Sequence, residues 1–447
     1  MQLIKFERSA TYLGVLLLFG LLYAQAFIYF IGLEWTRSFS VLLYVLISIW
    51  LAILLFTQKQ EWWALTRIDL FVLFFWSTVG LSIILRTSLS LDLLRYLLYV
   101  PFMVFIPYFC GRLIRVSDLH IFMRIMLILG LLIIPLMIAD RVYSTANTTA
   151  QLRWPIFGYD HGRLMVGSLL ACALASACFF VTSVTYTDGS KTWNKKLVLY
   201  GCTVLITFGL VATATRGIIL SGILGAVGVV LCFRKSSLLR RLCVSVGIVA
   251  LVAMAHFSFS AIDPHYFLTT QYSESNFKYE NLSTIASQTR ASGANFQEIL
   301  ASQGCRAMRG ADSVNVRELL YREAVAMFLW QPLVGVGATK FGEYSCWSKV
   351  GSYPHSTVLQ VLAELGLLGG GLFVMCYIFA FLAQFRLAIL NQDGHAVHAL
   401  VAVFALLILF LVSDQIYGNY FMATGTWLML GVSSSVQKMV TLGDANE

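Results

Sequence analysis

Stretches of about 20 apolar residues recur along almost the whole chain, and a single polar insert of about 95 residues, 261–355, interrupts them. Twenty apolar residues is roughly the length that crosses the hydrocarbon core of a bilayer, where a helix satisfies its own backbone. Of 447 residues, 59% are hydrophobic and only 12% charged. A soluble domain of that size cannot bury so much apolar surface. The chain therefore reads as an all-α polytopic membrane protein.

Twelve windows qualify as spans: 10–32, 39–56, 69–85, 91–110, 119–138, 163–186, 197–213, 217–233, 242–260, 357–385, 396–413 and 418–437. The first is too long for a signal-peptide core and has no small-residue cleavage site after it, so it is expected to be retained. The organisation is nine helices in 1–260, a large loop at 261–355, and three helices in 356–447. Trp35, Trp62, Trp63, Trp154 and Trp193 stand at span ends, as interfacial aromatics do.

The net charge of +9 suggests nucleic acid, but the distribution of the charges argues against that partner. Fifteen Lys and Arg fall in the termini and alternate short loops of one side, from Lys5 and Arg8 to Arg386 and Lys438. The short loops of the opposite side hold six: Arg37, Arg86, Arg141, Arg153, Arg163 and Arg216. The long loop carries eight basic and eight acidic residues and adds nothing net. By the positive-inside rule the first side is cytoplasmic and the long loop lies across the membrane from it.

Within the loop, residues 271–315 have no steady period. In 316–330, Leu320, Ala324 and Phe328 recur at four-residue steps against polar Arg317, Glu318, Arg322 and Glu323, which predicts an amphipathic helix. Pro332 ends it, and Gly335-Val336-Gly337 makes a turn. Seven of the nine cysteines lie in or beside spans. The other two, Cys305 and Cys346, are a candidate disulfide if the loop faces an oxidising compartment.

The short opposite-side loops use Arg alone, whose planar fork suits bidentate pairing with phosphate. Arg216, in Ala212-Thr-Ala-Thr-Arg-Gly217, has almost no loop around it; the alternative role is a snorkelling interfacial cation. His355 follows Pro354 at the mouth of the span from Thr357. The positive end of that helix disfavours imidazolium, which leaves a neutral base beside an anion-attracting mouth; an ordinary interfacial residue is the alternative. Asp92 and Arg95 are spaced to neutralise each other within a span. Glu364 and Asp414 are lone span carboxylates, suited either to lining a cavity or to structural hydrogen bonds. No cluster has metal-ligand spacing, and no phosphate loop, dinucleotide fingerprint, nucleophile elbow or Asp-x-Asp pair is present. Cofactor and metal chemistry are not expected.

Three segments in order resemble the O-antigen ligase family, which also includes O-antigen polymerases and related oligosaccharyltransferases. Thr213-Ala-Thr-Arg216-Gly217 resembles its Ser/Thr-Arg-Gly element. Arg317-Glu-Leu-Leu-Tyr321, followed by Pro332-Leu-Val-Gly335-Val-Gly337, resembles its Arg-x3-aromatic helix and Pro…Gly-x-Gly turn. His355-Ser-x2-Leu359-Gln-x3-Glu364-Leu-Gly366-x2-Gly369 resembles its His-Asn/Ser…Glu-x-Gly-x2-Gly signature. Arg153-Trp-Pro-Ile-Phe-Gly158 matches a further element less closely, because its Asn-Pro is absent here. The resemblance implies a membrane-embedded architecture of the GT-C type and a metal-independent transferase. Its donor would be an O-antigen glycan on undecaprenyl diphosphate and its acceptor lipid A–core, among membrane lipids at the outer face of the inner membrane. Arg216 and Arg317 would hold the diphosphate and His355 would activate the acceptor hydroxyl. Arg153, Arg163, Glu364 and Asp414 are the candidate substrate contacts. Polymerase, oligosaccharyltransferase and, more distantly, transport of the same lipid-linked glycan remain open at this point.

Overall fold

The computed structural model describes residues 65–86, 101–114, 118–145, 162–187, 193–232, 237–262, 313–345, 353–390, 395–417, 419–421 and 423–443, with six isolated positions before residue 54. Apart from those isolated positions, the expected spans 10–32 and 39–56 lie outside them, as do the first half of 91–110 and most of the first part of the polar insert. So do Arg37, Asp92, Arg95, Arg153, Cys305 and Cys346.

Among the described residues the ordered elements are helices and turns. In chain order they are α1 (Arg67–Arg86), a π-helical turn at Pro101–Phe105 leading into α2 (Ile106–Leu113), α3 (Leu119–Thr145) and α4 (Gly162–Thr187). Then come α5 (Trp193–Ala212), α6 (Arg216–Cys232), α7 (Leu238–Ile262) and α8 (Ser313–Trp330). The last four are the one-turn α9 (Phe341–Tyr344), α10 (Thr357–Leu390), α11 (His395–Tyr417) and α12 (Thr424–Gly443). Six of these, α1, α3, α4, α5, α7 and α10, are long and apolar enough to cross a membrane. This is a multi-pass membrane protein.

Small residues set the packing, because in lipid close approach rather than water exclusion draws helices together. A Cβ on Gly111 would lie 2.0 Å from the Leu428 carbonyl oxygen, and one on Gly431 equally close to that of Tyr108, so α2 and α12 touch backbone to backbone. The middle of α4, Leu169–Ala175, is buried on every side, with Gly130 of α3 meeting Ala173 and Gly222 of α6 meeting Ala171. Gly225 of α6 packs on Leu409 and Ala405 of α11, and Gly228 on Ala405, which makes α6 and α11 antiparallel neighbours.

Two expected spans depart from their windows. In the apolar window from 418, the described residues 419–421 and 423 are non-helical and the helix begins at Thr424; Asn419 turns the chain by accepting the Phe421 N–H (3.0 Å), and the Trp427 indole N–H donates to the Tyr420 carbonyl (2.8 Å). The window from 357 is interrupted at Gly366, whose backbone (φ 63°, ψ −158°) is not helical. Both departures bear on the site.

At one end of the bundle, Asp69 of α1 is buried and ion-paired to Arg112 of α2 (3.0 Å). Its carboxylate also accepts from the Thr66 N–H (2.7 Å) and from the hydroxyls of Tyr108 (2.5 Å) and Ser434 (2.9 Å). Every lone pair direction is used, which is how a buried charge is tolerated. This network ties α1, α2 and α12 together.

Candidate active site at the opposite end

α8 ends where Pro332 cannot continue it, and residues 332–340 fold against the break in α10. Val336 N–H donates to the Ala363 carbonyl (2.9 Å) and Gly337 N–H to that of Glu364 (2.9 Å). In return Leu367 N–H donates to the Pro332 carbonyl (2.7 Å) and Leu368 N–H to that of Leu333 (3.2 Å). Gly335 and Gly366, both at φ 63°, form the contact: a Cβ on the first would sit 2.2 Å from the Glu364 carbonyl carbon, and one on the second 2.5 Å from that of Leu333. Only glycine permits this approach and this backbone. The two glycine elements seen in the sequence are the halves of one clasp. Ser82 of α1 joins it by accepting the Ala338 N–H (2.9 Å).

Glu364 bolts the clasp shut. Its carboxylate accepts from the N–H groups of Thr339 (2.9 Å) and Phe341 (3.3 Å), the Gln360 amide (3.3 Å) and the Tyr420 hydroxyl (2.7 Å). The side chain is buried and its acceptor capacity is taken by protein. These four internal donors hold the carboxylate against the clasp, the structural hydrogen bonding that was the alternative to a cavity-lining role. Asp414 is also engaged within the protein. It is buried, its carboxylate accepts the Thr426 hydroxyl of α12, and its backbone carbonyl accepts the Thr357 hydroxyl (3.0 Å).

The clasp presents the start of α10. Ser356 caps that helix, its hydroxyl lying 3.4 Å from the Leu359 N–H. His355, the residue before the cap, adopts φ 56°, a left-handed conformation uncommon for a side-chain-bearing residue and typical of functional sites. Its partly buried ring lies 4.7 Å, centroid to centroid, from that of Tyr353. Burial raises the Tyr353 phenol above its ordinary pKa and the Arg317 charge opposes that rise, so Arg317 is an electrostatic neighbour of this mouth. One turn along α8 on the same face, the Tyr321 hydroxyl reaches the Gln415 carbonyl of α11 (3.4 Å). The Gln415 side-chain oxygen in turn accepts from the Ser356 hydroxyl (3.0 Å) and the Val358 N–H (3.1 Å). Tyr353 and His355 thus share one mouth, framed by α8, α10 and α11, with Arg317 in electrostatic range of it.

Arg216 arrives from a different direction. Thr213 and Ala214 close a tight turn after α5, with their N–H groups on the carbonyls of Leu210 and Val211, and Ala214 takes φ 53°. The hydroxyls of Thr213 and Thr215 bond each other (2.6 Å). Arg216 opens α6 and is exposed. From the Gly225–Leu409 contact, nine residues back along α6 (roughly 13 Å) lead to Arg216, and six forward along antiparallel α11 (roughly 9 Å) lead to Gln415. Arg163 is the second residue of α4, and Gly167 one turn further on packs against Thr215 and Ile218. Arg163, Arg216, Arg317 and His355 therefore belong to the same end of the bundle, with Tyr353 and His355 in ring contact and Arg317 within electrostatic reach of Tyr353.

The sequence reading had not singled out Ser356, Gln360, Gln415 or Tyr420. Gln415 adjoins Asp414 in the sequence, and Ser356 and Gln360 lie inside the signature quoted for His355. Tyr420 carried no signal, because its hydroxyl partner is 56 residues away.

Fold and site together define a helical membrane protein with a cationic, histidine-bearing mouth at one end. Residues 201–374 match the family model described as O-antigen ligase. The match runs from α5 through the clasp and contains Arg216, Arg317, His355, Glu364 and Gly366. Members of this family are membrane glycosyltransferase-like enzymes that act on lipid-linked glycans. No curated protein matches the chain.

Proposed function

We propose that the protein is an O-antigen ligase of the inner membrane, with the His355 end facing the periplasm. It transfers the glycan from undecaprenyl diphosphate to lipid A–core. The reading is supported by the Tyr353–His355 ring pair at the start of α10, with Arg317 in electrostatic range of it and Arg216 at the same end.

In the reaction, an acceptor hydroxyl oxygen bonds to the anomeric carbon of the donor sugar as the bond from that carbon to the diphosphate oxygen breaks. The hydroxyl proton passes to the neutral His355 imidazole, and the electron pair leaves with the lipid diphosphate. Negative charge grows on that leaving group. Preorganised donors aimed at developing charge are the largest single contribution in many enzymes, and Arg216 and Arg317 fill that role. Arg163 and Arg153 would add donor contacts, as the family resemblance implies. The lipid tail lies among the helices, which is why the site belongs at a helix mouth.

Purified protein given both substrates in detergent, where no sidedness exists, should form the ligated product, and chelator should leave the rate unchanged. A transporter would form none. Cells lacking the protein separate ligase from polymerase. Full-length chains left on the carrier over bare core support ligation, whereas core carrying a single repeat would replace it with polymerisation. Labelling that puts Arg234–Arg241 outside the cell would overturn the orientation.

A further inference from the structure

Gln415 joins three elements at the mouth. Its side-chain oxygen takes the Ser356 hydroxyl and the Val358 N–H of α10, and its backbone carbonyl takes the Tyr321 hydroxyl of α8. The orientation of the amide is forced, because a backbone N–H can only donate and Val358 must face the oxygen. The amide nitrogen points away and is buried, with no hydrogen-bond partner among the described residues. Side-chain tethering at this position therefore runs through the oxygen.

His355 stands immediately before the tethered segment. At φ 56° it holds a conformation that persists only when its surroundings fix the chain on both sides. On the N-terminal side, Pro354 has its own φ locked by its ring. On the C-terminal side the fixing contacts are those of Gln415 to Ser356 and Val358, backed by the Thr357 hydroxyl on the Asp414 carbonyl (3.0 Å). Asp414 and Gln415 are consecutive on α11, so that helix terminus acts as the template on which the His355 turn is set. The Tyr321 contact sets α8, and with it Arg317, against the same residue.

We infer that Gln415 is a positioning residue for His355 and Arg317. It makes no contact with the reacting atoms but fixes the distance between the base and the cation that faces the leaving diphosphate. The inference rests on the transfer reaction proposed above.

The test uses the purified full-length protein with lipid-diphosphate donor and saccharide acceptor. Gln415→Met keeps the volume and removes the acceptor. It is expected to lower kcat on the order of 10–10²-fold, the size of effect that misplacing a catalytic group by about an ångström produces. KM for the donor should stay within about threefold, because uniform binding is untouched. Gln415→Glu keeps an acceptor facing Val358 and should recover most of the lost kcat. Ser356→Ala removes the other end of one tether; it should lower kcat in the same sense, and adding it to Gln415→Met should cost less than the two separate losses combined. Wild-type kcat in Gln415→Met, a loss confined to KM, or a Glu variant as slow as the Met variant would each overturn the inference. Should Gln415→Met not be recovered as folded protein, an unchanged kcat in Ser356→Ala overturns it instead. Absence of product from wild-type protein removes the proposed reaction and this inference together, whereas active wild type with an equally active Met variant removes this inference alone.

Discussion

Replacing Gly366 by Ala tests whether the clasp holds the site in place. An L-residue at φ 63°, ψ −158° occupies a region that is essentially glycine's own, at a cost of about 1–3 kcal/mol. The added methyl would also lie 2.5–2.6 Å from the Leu333 carbonyl carbon and oxygen and the Val334 nitrogen. These are backbone atoms pinned by the Leu367–Pro332 and Leu368–Leu333 hydrogen bonds, so they cannot swing aside as a flexible side chain would. Overpacking of this kind costs roughly 1–3 kcal/mol more. The sum, about 2–6 kcal/mol, is a large share of the ~5–15 kcal/mol that holds a typical folded chain. Gly371, five residues further along the same helix, is the matched control, since nothing lies within 4 Å of its Cβ position. Ala there should be neutral or stabilising by up to ~1 kcal/mol through helix propensity. Thermal unfolding in detergent, followed by tryptophan fluorescence, should show Gly366→Ala melting well below wild type, with transfer activity reduced in step, and Gly371→Ala at or above it. Equal melting of the two alanine variants, with full activity in both, would refute the clasp.

Alanine at Arg216 or Arg317 should lower the transfer rate ~10²–10³-fold, the usual loss for one preorganised donor. Lysine at either position should restore only part of it, as the charge remains but the fork is gone. Arg37→Ala and Arg86→Ala should stay near wild type, and equal rates for all four alanine variants would sink the diphosphate role. His355→Ala should cost roughly 10²–10⁴-fold if the imidazole takes the proton. His355→Asn accepts the left-handed backbone yet lacks the base, so a fast Asn variant would mean that the backbone turn matters and the ring does not. Asp69→Asn strands the buried Arg112 charge and should destabilise by about 3–5 kcal/mol while leaving kcat of the folded fraction unchanged. A drop in kcat without loss of melting temperature would show that the Asp69 network couples to the distant site.

Hydropathy alone places most of the helices that the structure describes, because a bilayer leaves no other way to satisfy a span's backbone. Windows 163–186 and 217–233 differ by only one residue at each end from Gly162–Thr187 and Arg216–Cys232. The helix with Arg317 on its polar face was legible from its period, and the turns at Pro332 and Gly335 from their chemistry. The roles of Glu364 and Asp414 were not. A carboxylate in an apolar window looks the same whether it faces a cavity or four internal donors, and those of Glu364 come from residues as distant as Tyr420. Nor does a window average register the single broken residue at Gly366, since the backbone groups freed there are satisfied by Pro332 and Leu333, more than thirty residues earlier. Gln415 and the Asp69–Arg112 pair belong to the same class. Local sequence determines which segments must be helical in lipid; which polar groups meet between them depends on close approach at Gly111, Gly431, Gly335 and Gly366, and that is a property of the packed bundle alone.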